Sequence, residues 1–214
     1  MKTVIIGSGN LATHLSLALK ASGMTIAQVY SRTAEHAAEL AARLGCPFTA
    51  QVDEVLTDAG LYIISVNDDA ISGVAVRLCK ARPQAVFLHT AGSVPMNVFR
   101  PYGVRHGVLY PMQTFSKNRS VDFRTIPCFI EASDEPTLAL DPRNRRAVIR
   151  ALSALPCAKL IATHDLDFVL DACTRVLLMD GGRIVADGRP DELLRDRTLL
   201  ERHGLELPLS LSRR

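Results

Sequence analysis

A β-branched run, Thr3-Val4-Ile5-Ile6, leads straight into Gly7-Ser8-Gly9-Asn10-Leu11-Ala12. This G-x-G-x-x-A pattern between a strand and a helix restricts the possible folds more than any other stretch of the chain. Gly7 permits a tight turn, Gly9 lets backbone approach a pyrophosphate, and small Ala12 allows the helix to pack closely on the strand. The helix carries Leu11, Leu15, Ala18 and Leu19 at helical spacing and stops near Ser22-Gly23. Its free first-turn N–H groups point where phosphates would sit. A second strand at Thr25 to Tyr30 completes a β-α-β unit, so the expected fold is α/β, with a Rossmann-type doubly wound parallel sheet.

The end of that second strand chooses between two dinucleotides. NAD-binding sheets usually place Asp or Glu there, about 20 residues after the glycines, to hold the ribose hydroxyls. This chain has Tyr30-Ser31-Arg32-Thr33 instead. A 2′-phosphate against the Ser31 hydroxyl and Arg32 guanidinium gains roughly 1.5–3 kcal/mol of charge-assisted hydrogen bonding, so NADP is the expected cofactor. The alternative is that Arg32 is a solvated residue opening the next helix.

That helix is expected from Thr33 to Leu44, with Gly45 closing it. Leu61 to Val66 and Val86 to Thr90 read as buried strands, followed by Asn67-Asp68-Asp69-Ala70-Ile71 and Ala91-Gly92-Ser93. Open parallel sheets bind ligands at such carboxyl ends. His89 is the candidate proton donor or acceptor, because imidazole titrates near neutral pH. A histidine there could equally serve only to bond backbone beside the cofactor. Ser93, Asn67 and Gln113 could orient a small-molecule substrate, and each is also an ordinary turn or strand-end residue. His14, His36 and His106 lack partners at metal-ligand spacing, and no metal site is expected.

Three segments together carry a family resemblance: Ile64 to Ile71, His89-Thr90-Ala91-Gly92-Ser93, and Gly107 to Ser116, which includes Tyr110-Pro111-Met112-Gln113-Thr114-Phe115. Residues 2–133 resemble Rossmann-like oxidoreductases related to pyrroline-5-carboxylate reductase and 6-phosphogluconate dehydrogenase. The resemblance implies NADP along Gly7, Ser8, Gly9, Asn10, Leu11, Ala12, Ser31 and Arg32. It places the nicotinamide end near Ser65, Val66, Asn67, Ile71, His89 and Thr90. It also implies a helical carboxyl-terminal domain that forms a dimer and closes the substrate site, for which the sequence after Ser133 offers no counterpart.

At Asp134 the composition changes. Residues 1–133 hold 12 Lys+Arg and 9 Asp+Glu, whereas 134–214 hold 13 and 13, so charge density doubles from about 16% to about 32%. Lysine falls from four to one while arginine rises from eight to twelve, which favours two origins. Asp134-Glu135-Pro136-Thr137-Leu138, Leu160-Ile161-Ala162-Thr163-His164-Asp165 and Val176 to Gly188 resemble the distal part of ABC transporter ATP-binding proteins. Carried over by position, Asp134 would hold Mg²⁺ through water, Glu135 would polarise the attacking water, and His164 would contact the γ-phosphate. Asp141 before Pro142 reads as the cap of a helix over Arg143 to Leu155, Gly181-Gly182 as a hairpin turn, and Pro190 to Leu194 as a short helix. Phosphoryl transfer in this class needs a Gly-rich loop with a lysine, and the chain has no Gly-Lys pair.

The expected organisation is therefore an NADP-binding domain at 1–133, a truncated, smaller α/β ATPase-like segment at 134–207, and a tail at 208–214. Net charge of +3 without long basic runs argues against nucleic-acid binding. Cys46, Cys79, Cys128, Cys157 and Cys173 are odd in number and lack C-x-x-C spacing, which fits reduced thiols in a cytoplasmic protein. No apolar run approaches the ~18 residues of a membrane span, so direct membrane insertion is not expected. Self-association is expected as an option of the oxidoreductase part. The leading functional reading is hydride transfer with NADP on a small substrate, impaired by loss of the helical domain. The alternatives are an incomplete ATP-binding transporter subunit and a non-catalytic chimera.

Overall fold

The computed structural model describes residues 1–116, 119, 121–132, 149, 157–163 and 165–212. Two compact units divide at Ala162/Thr163. The first is built on an eight-stranded sheet of order β3-β2-β1-β4-β5-β6-β7-β8. Its strands are β1 (Lys2–Ile6), β2 (Thr25–Tyr30), β3 (Phe48–Thr49), β4 (Leu61–Ile64), β5 (Val86–His89), β6 (Arg105–Pro111), β7 (Cys128–Ala132) and β8 (Lys159–Ala162). The first six are parallel, β7 runs antiparallel to β6, and β8 runs parallel to β7. Strand order reverses between β1 and β4, the switch point at which such sheets open a ligand crevice.

The helices of this unit are α1 (Asn10–Ala21), α2 (Ala34–Leu44) and α3 (Ile71–Cys79). Gly45 ends α2 in the left-handed conformation at φ 63°, the usual helix stop. Strands β1, β4 and β5 are buried at nearly every position because both faces of a parallel sheet are covered. On one face Val4, Ile6, Tyr62, Ile64 and Phe87 pack against Ile71, Ala75 and Leu78 of α3 and against Phe99. Tyr62 and Phe87 stack with centroids 5.0 Å apart. Arg82, which no sequence pattern singled out, is buried beneath them. Its guanidinium donates to the carbonyls of Leu56 and Leu78, each at 2.9 Å, and lies 5.4 Å over the Tyr62 ring.

The second unit, Thr163–Arg214, contains α4 (Leu166–Ala172), the antiparallel pair β9 (Val176–Asp180) and β10 (Arg183–Gly188), and the short helices α5 (Pro190–Leu193), α6 (Arg197–Arg202) and α7 (Leu209–Ser212). Asp165 caps α4 by accepting from Phe168 N–H at 2.8 Å, and Asp196 caps α6 by accepting from Leu199 N–H at 2.9 Å. Gly181 and Gly182 turn the hairpin with φ of 54° and 74°, a pair of positive values that glycine supplies without strain. Val169, Leu194 and Leu200 form a small core.

The structural boundary and the change of family resemblance fall at different places. Strand β8 belongs by sequence to the ATPase-like segment, yet it completes the first sheet by pairing Cys128↔Lys159 through Glu131↔Ala162. Parallel strands need a connection of a dozen residues or more, and residues 133–158 separate β7 from β8 in the sequence. Within the expected tail, Leu209 and Ser210 donate their N–H groups to the Asp167 carboxylate, each at 3.0 Å. Asp134, Glu135, His164, the Asp134 to Leu138 motif and most of the helix expected at Arg143 to Leu155 lie outside the described residues.

Candidate functional site

The turn after β1 is shaped by its neighbours. Gly7 has φ 116°, and a Cβ there would stand 2.1 Å from the Ser65 carbonyl oxygen, so only glycine fits between β1 and β4. Gly7 N–H donates to Tyr30 O at 2.7 Å, and Ser65 N–H donates to Ile6 O at 2.7 Å, which fixes the loop against both neighbouring strands. At Gly9 a Cβ would meet nothing within 4 Å, so the space above the loop is open. Gly9 begins α1 without a side-chain cap, and the first turn contains no acidic residue. Unspent N–H groups, a positive helix end and clear approach are what a pyrophosphate requires, so the residues present fit a dinucleotide.

Ser8 Oγ donates to Ser31 Oγ at 2.8 Å, joining the glycine loop to the end of β2. Arg32 beside them is exposed. The loop after β6 reaches back to α1: Asn10 Nδ2 donates to Phe115 O, and His14 Nε2 meets Ser116 O, both at 2.9 Å. Asn10, expected at the cofactor, therefore spends its amide on a latch. Leu11 is half-buried, while Ala12 is buried against the sheet.

Beyond the switch point, Ser65 and Thr90 are brought together, with Thr90 Oγ1 donating to Ser65 Oγ at 3.1 Å. Ile71 is fully buried at the start of α3, Val66 is half-buried, and Asn67 is exposed. Ser93 Oγ donates to an Asp68 carboxylate oxygen, linking the loops after β4 and β5.

His89 is placed otherwise than a freely exchanging proton carrier requires. Its side chain is 0% exposed and packs against Phe99, with ring centroids 5.7 Å apart. Nδ1 accepts from Ala91 N–H at 3.3 Å, which assigns the proton to Nε2, and among the described residues Nε2 has no partner of normal hydrogen-bond geometry. Burial pushes the imidazole pKa down, outweighing the upward pull of Asp68, so the ring stays neutral. The physical reason is register: His89 sits opposite Ile64 and Val108 within the sheet, one residue short of the open loop.

A cavity of about 820 Å³ opens beyond that loop. Its floor is two rungs of the sheet, Tyr110↔Phe129↔Leu160 and Val108↔Glu131↔Ala162. Its rim carries Asp68, Thr90 and Ser93. Tyr110 lies across Gly92, where a Cβ would come within 3.0 Å of the ring. Among the described lining residues are two carboxylates, Asp68 and Glu131, and no Lys or Arg. Tyr110 and Glu131 were not singled out from sequence as site residues. Glu131 follows the apolar run Cys128-Phe129-Ile130, and its two-residue spacing from Phe129 puts both on one face. Among the described residues no group of His, Cys, Asp or Glu could hold a metal, and no helix is long and apolar enough to cross a membrane.

Comparison with known proteins finds both resemblances. Residues 2–89 match the family model described as NADP oxidoreductase, coenzyme F420-dependent. A Bacteroides fragilis protein provisionally named an NADP oxidoreductase is 40% identical, with a TM-score of 0.65 over 75% of this chain and 59% of its own. A pyrroline-5-carboxylate reductase from Coxiella burnetii shares the fold at 14% identity, with a TM-score of 0.61 over 80% of this chain and 63% of its own. A Gloeobacter violaceus protein, provisionally named an ABC transporter ATP-binding protein, is 61% identical over 80 residues, or 37% of this chain. The chain spans only 33% of that relative's length. The chain thus joins a segment similar to NADP oxidoreductases to sequence held in common with transporter ATPases.

Proposed function

We propose that the amino-terminal unit binds NADP and supports hydride transfer between it and a small carbonyl or imine compound seated in the Tyr110 cavity. The observation that carries this reading is the pairing of an open phosphate cradle at Gly7 to Ala12 with a large cavity along the same carboxyl edge of the sheet. The bound dinucleotide would supply the hydride. The α1 N–H groups and Gly9 would hold its pyrophosphate, Ser31 and Arg32 its 2′-phosphate, and Ser65, Val66 and Thr90 would border the nicotinamide end. Ser93, hydrogen-bonded to Asp68, is the proton-handling pair at the cavity rim, and Asn67 orients the substrate. Neutral His89 braces the loop through Ala91 rather than exchanging protons with solvent. The acidic, partly aromatic lining favours a neutral or cationic substrate over a carboxylate.

Titration of the full chain with NADPH and NADH, read by dinucleotide fluorescence, tests the cradle. NADPH is expected to bind roughly 10- to 100-fold more tightly, the range that charge-assisted bonds to the extra phosphate provide, with Arg32→Glu removing the preference. Equal binding of the two would refute the Ser31-Arg32 assignment, and no binding would refute the reading as a whole. The ATP-binding alternative draws on the 61% identical relative, but the chain has no Gly-Lys pair to cradle a phosphate. Magnesium-dependent hydrolysis abolished by Glu135→Gln would favour it.

A further inference from the structure

Two thiols that hydride transfer does not use lie at the start of β7 and just before β8. Cys128 opens β7 and is fully buried. It stands opposite Lys159 in the ladder, and its N–H donates to Ala158 O at 2.9 Å. Cys157 precedes Lys159 by two positions, is half-buried, and adjoins the Ala158 carbonyl that accepts the Cys128 N–H. The Lys159 ammonium folds back onto the Cys157 carbonyl at 3.0 Å, bringing positive charge to that residue. One thiol lies before Asp134 and the other after it, so the pair brackets the change of family resemblance.

We propose that Cys157 and Cys128 form a peroxide-responsive thiol pair, in which Cys157 attacks, Cys128 resolves, and the resulting disulfide ties β8 to β7. The surroundings sort the two roles. The Cys128 side chain, helped by the Lys159 charge, lowers the Cys157 thiol to about 7, so the thiolate is well populated near neutral pH. Cys157, together with burial, pushes Cys128 well above the usual thiol range and keeps it protonated. In the first step the Cys157 thiolate attacks one oxygen of a hydroperoxide, the O–O bond breaks, and an alcohol or water leaves after taking a proton. Cys157 is then a sulfenic acid. In the second step the Cys128 sulfur attacks it, the S–S bond forms, the S–O bond breaks, and hydroxide leaves as water with the Cys128 proton. Two thiols lose two electrons in total, and the peroxide gains them.

The test exposes the full-length reduced protein to hydrogen peroxide, blocks remaining thiols with iodoacetamide, and maps peptides by mass spectrometry without reduction. A cross-linked peptide containing Cys128 and Cys157, two hydrogens lighter than the separate thiols, is expected. Cys157 should react at least about tenfold faster than Cys46, Cys79 or Cys173. In Cys128→Ser a Cys157 sulfenic acid should persist and be captured by dimedone. Cys157→Ser, at the half-buried position, should abolish both products even if Cys128→Ser folds poorly. Oxidation spread evenly over the cysteines, or absence of the Cys128–Cys157 peptide, would overturn the assignment. This outcome is independent of nucleotide binding.

Discussion

Strands β4 and β9 are both short apolar runs, Leu61-Tyr62-Ile63-Ile64 and Val176-Leu177-Leu178-Met179, and they meet opposite fates. Every residue of β4 is at most 1% exposed, whereas Leu177 and Met179 are 41% and 62% exposed and Ile184 on β10 is 58% exposed. Composition alone does not separate them. The difference lies in what surrounds each strand: β4 has a parallel strand on either side and helices over both faces, while β9 has one antiparallel partner. A two-stranded ribbon cannot bury its own faces, so its apolar side chains contribute little wherever no further layer covers them.

The largest expected contrast is in the cores. Phe87→Ala removes a ring stacked on Tyr62 and packed on Phe99, and should cost roughly 3–5 kcal/mol of the amino-terminal unit's stability. Leu177→Ala should stay within about 0.5 kcal/mol. Denaturant unfolding followed by far-ultraviolet circular dichroism measures both, and equal losses would break the comparison. A smaller contrast is expected at glycines of positive φ. Gly7→Ala drives a Cβ into the Ser65 carbonyl and should cost about 3 kcal/mol while abolishing dinucleotide binding. Gly182→Ala meets open space, so only the strain of its 74° φ remains, about 1 kcal/mol. If the two glycines behave alike, the close approach of β1 to β4 is not what selects Gly7.

The smallest effect follows from His89. Its folded pKa lies below the ordinary value of about 6.5, so the unfolded chain takes up the proton first as pH falls. Stability of the amino-terminal unit should be insensitive to this group above about pH 6.5 and decline below it, until the folded ring itself titrates. His89→Phe should flatten that decline in thermal melts between pH 7 and 5. The described residues of the second unit include no fully buried imidazole: His203 there keeps 15% of its side chain exposed beside Asp180. An unchanged slope in His89→Phe would show that His89 is not kept neutral.

Much of the sheet was legible because fully covered parallel strands leave unbroken apolar runs and because the G-x-G-x-x-A turn anchors their order. Strand β2 falls at Thr25–Tyr30 as expected, and Gly45 ends α2 as expected. The hairpin turn at Gly181-Gly182 was legible for the same local reason, the need for positive φ. What stayed hidden depends on contacts between distant segments. The cavity floor arises from register across β6, β7 and β8, which no single stretch encodes. The sealing of His89 depends on Phe99, ten residues along, folding back over the strand end. Nor could local pattern reveal that Lys159 to Ala162 would join the first sheet, since an apolar strand preceding a charged loop suits either unit.

That last pairing bears on how such a chain can come to exist. Without β8, the N–H and C=O groups along one side of β7 would form an open edge, ready to recruit a strand from another molecule. The ladder from Cys128 to Glu131 asks only for backbone arriving in the same direction after a connection long enough to cross over. Sequences of different ancestry can satisfy that demand equally. A join placed between β7 and β8 would leave the hydrogen-bond periodicity of the sheet intact, because the backbone, unlike a catalytic motif, carries no lineage.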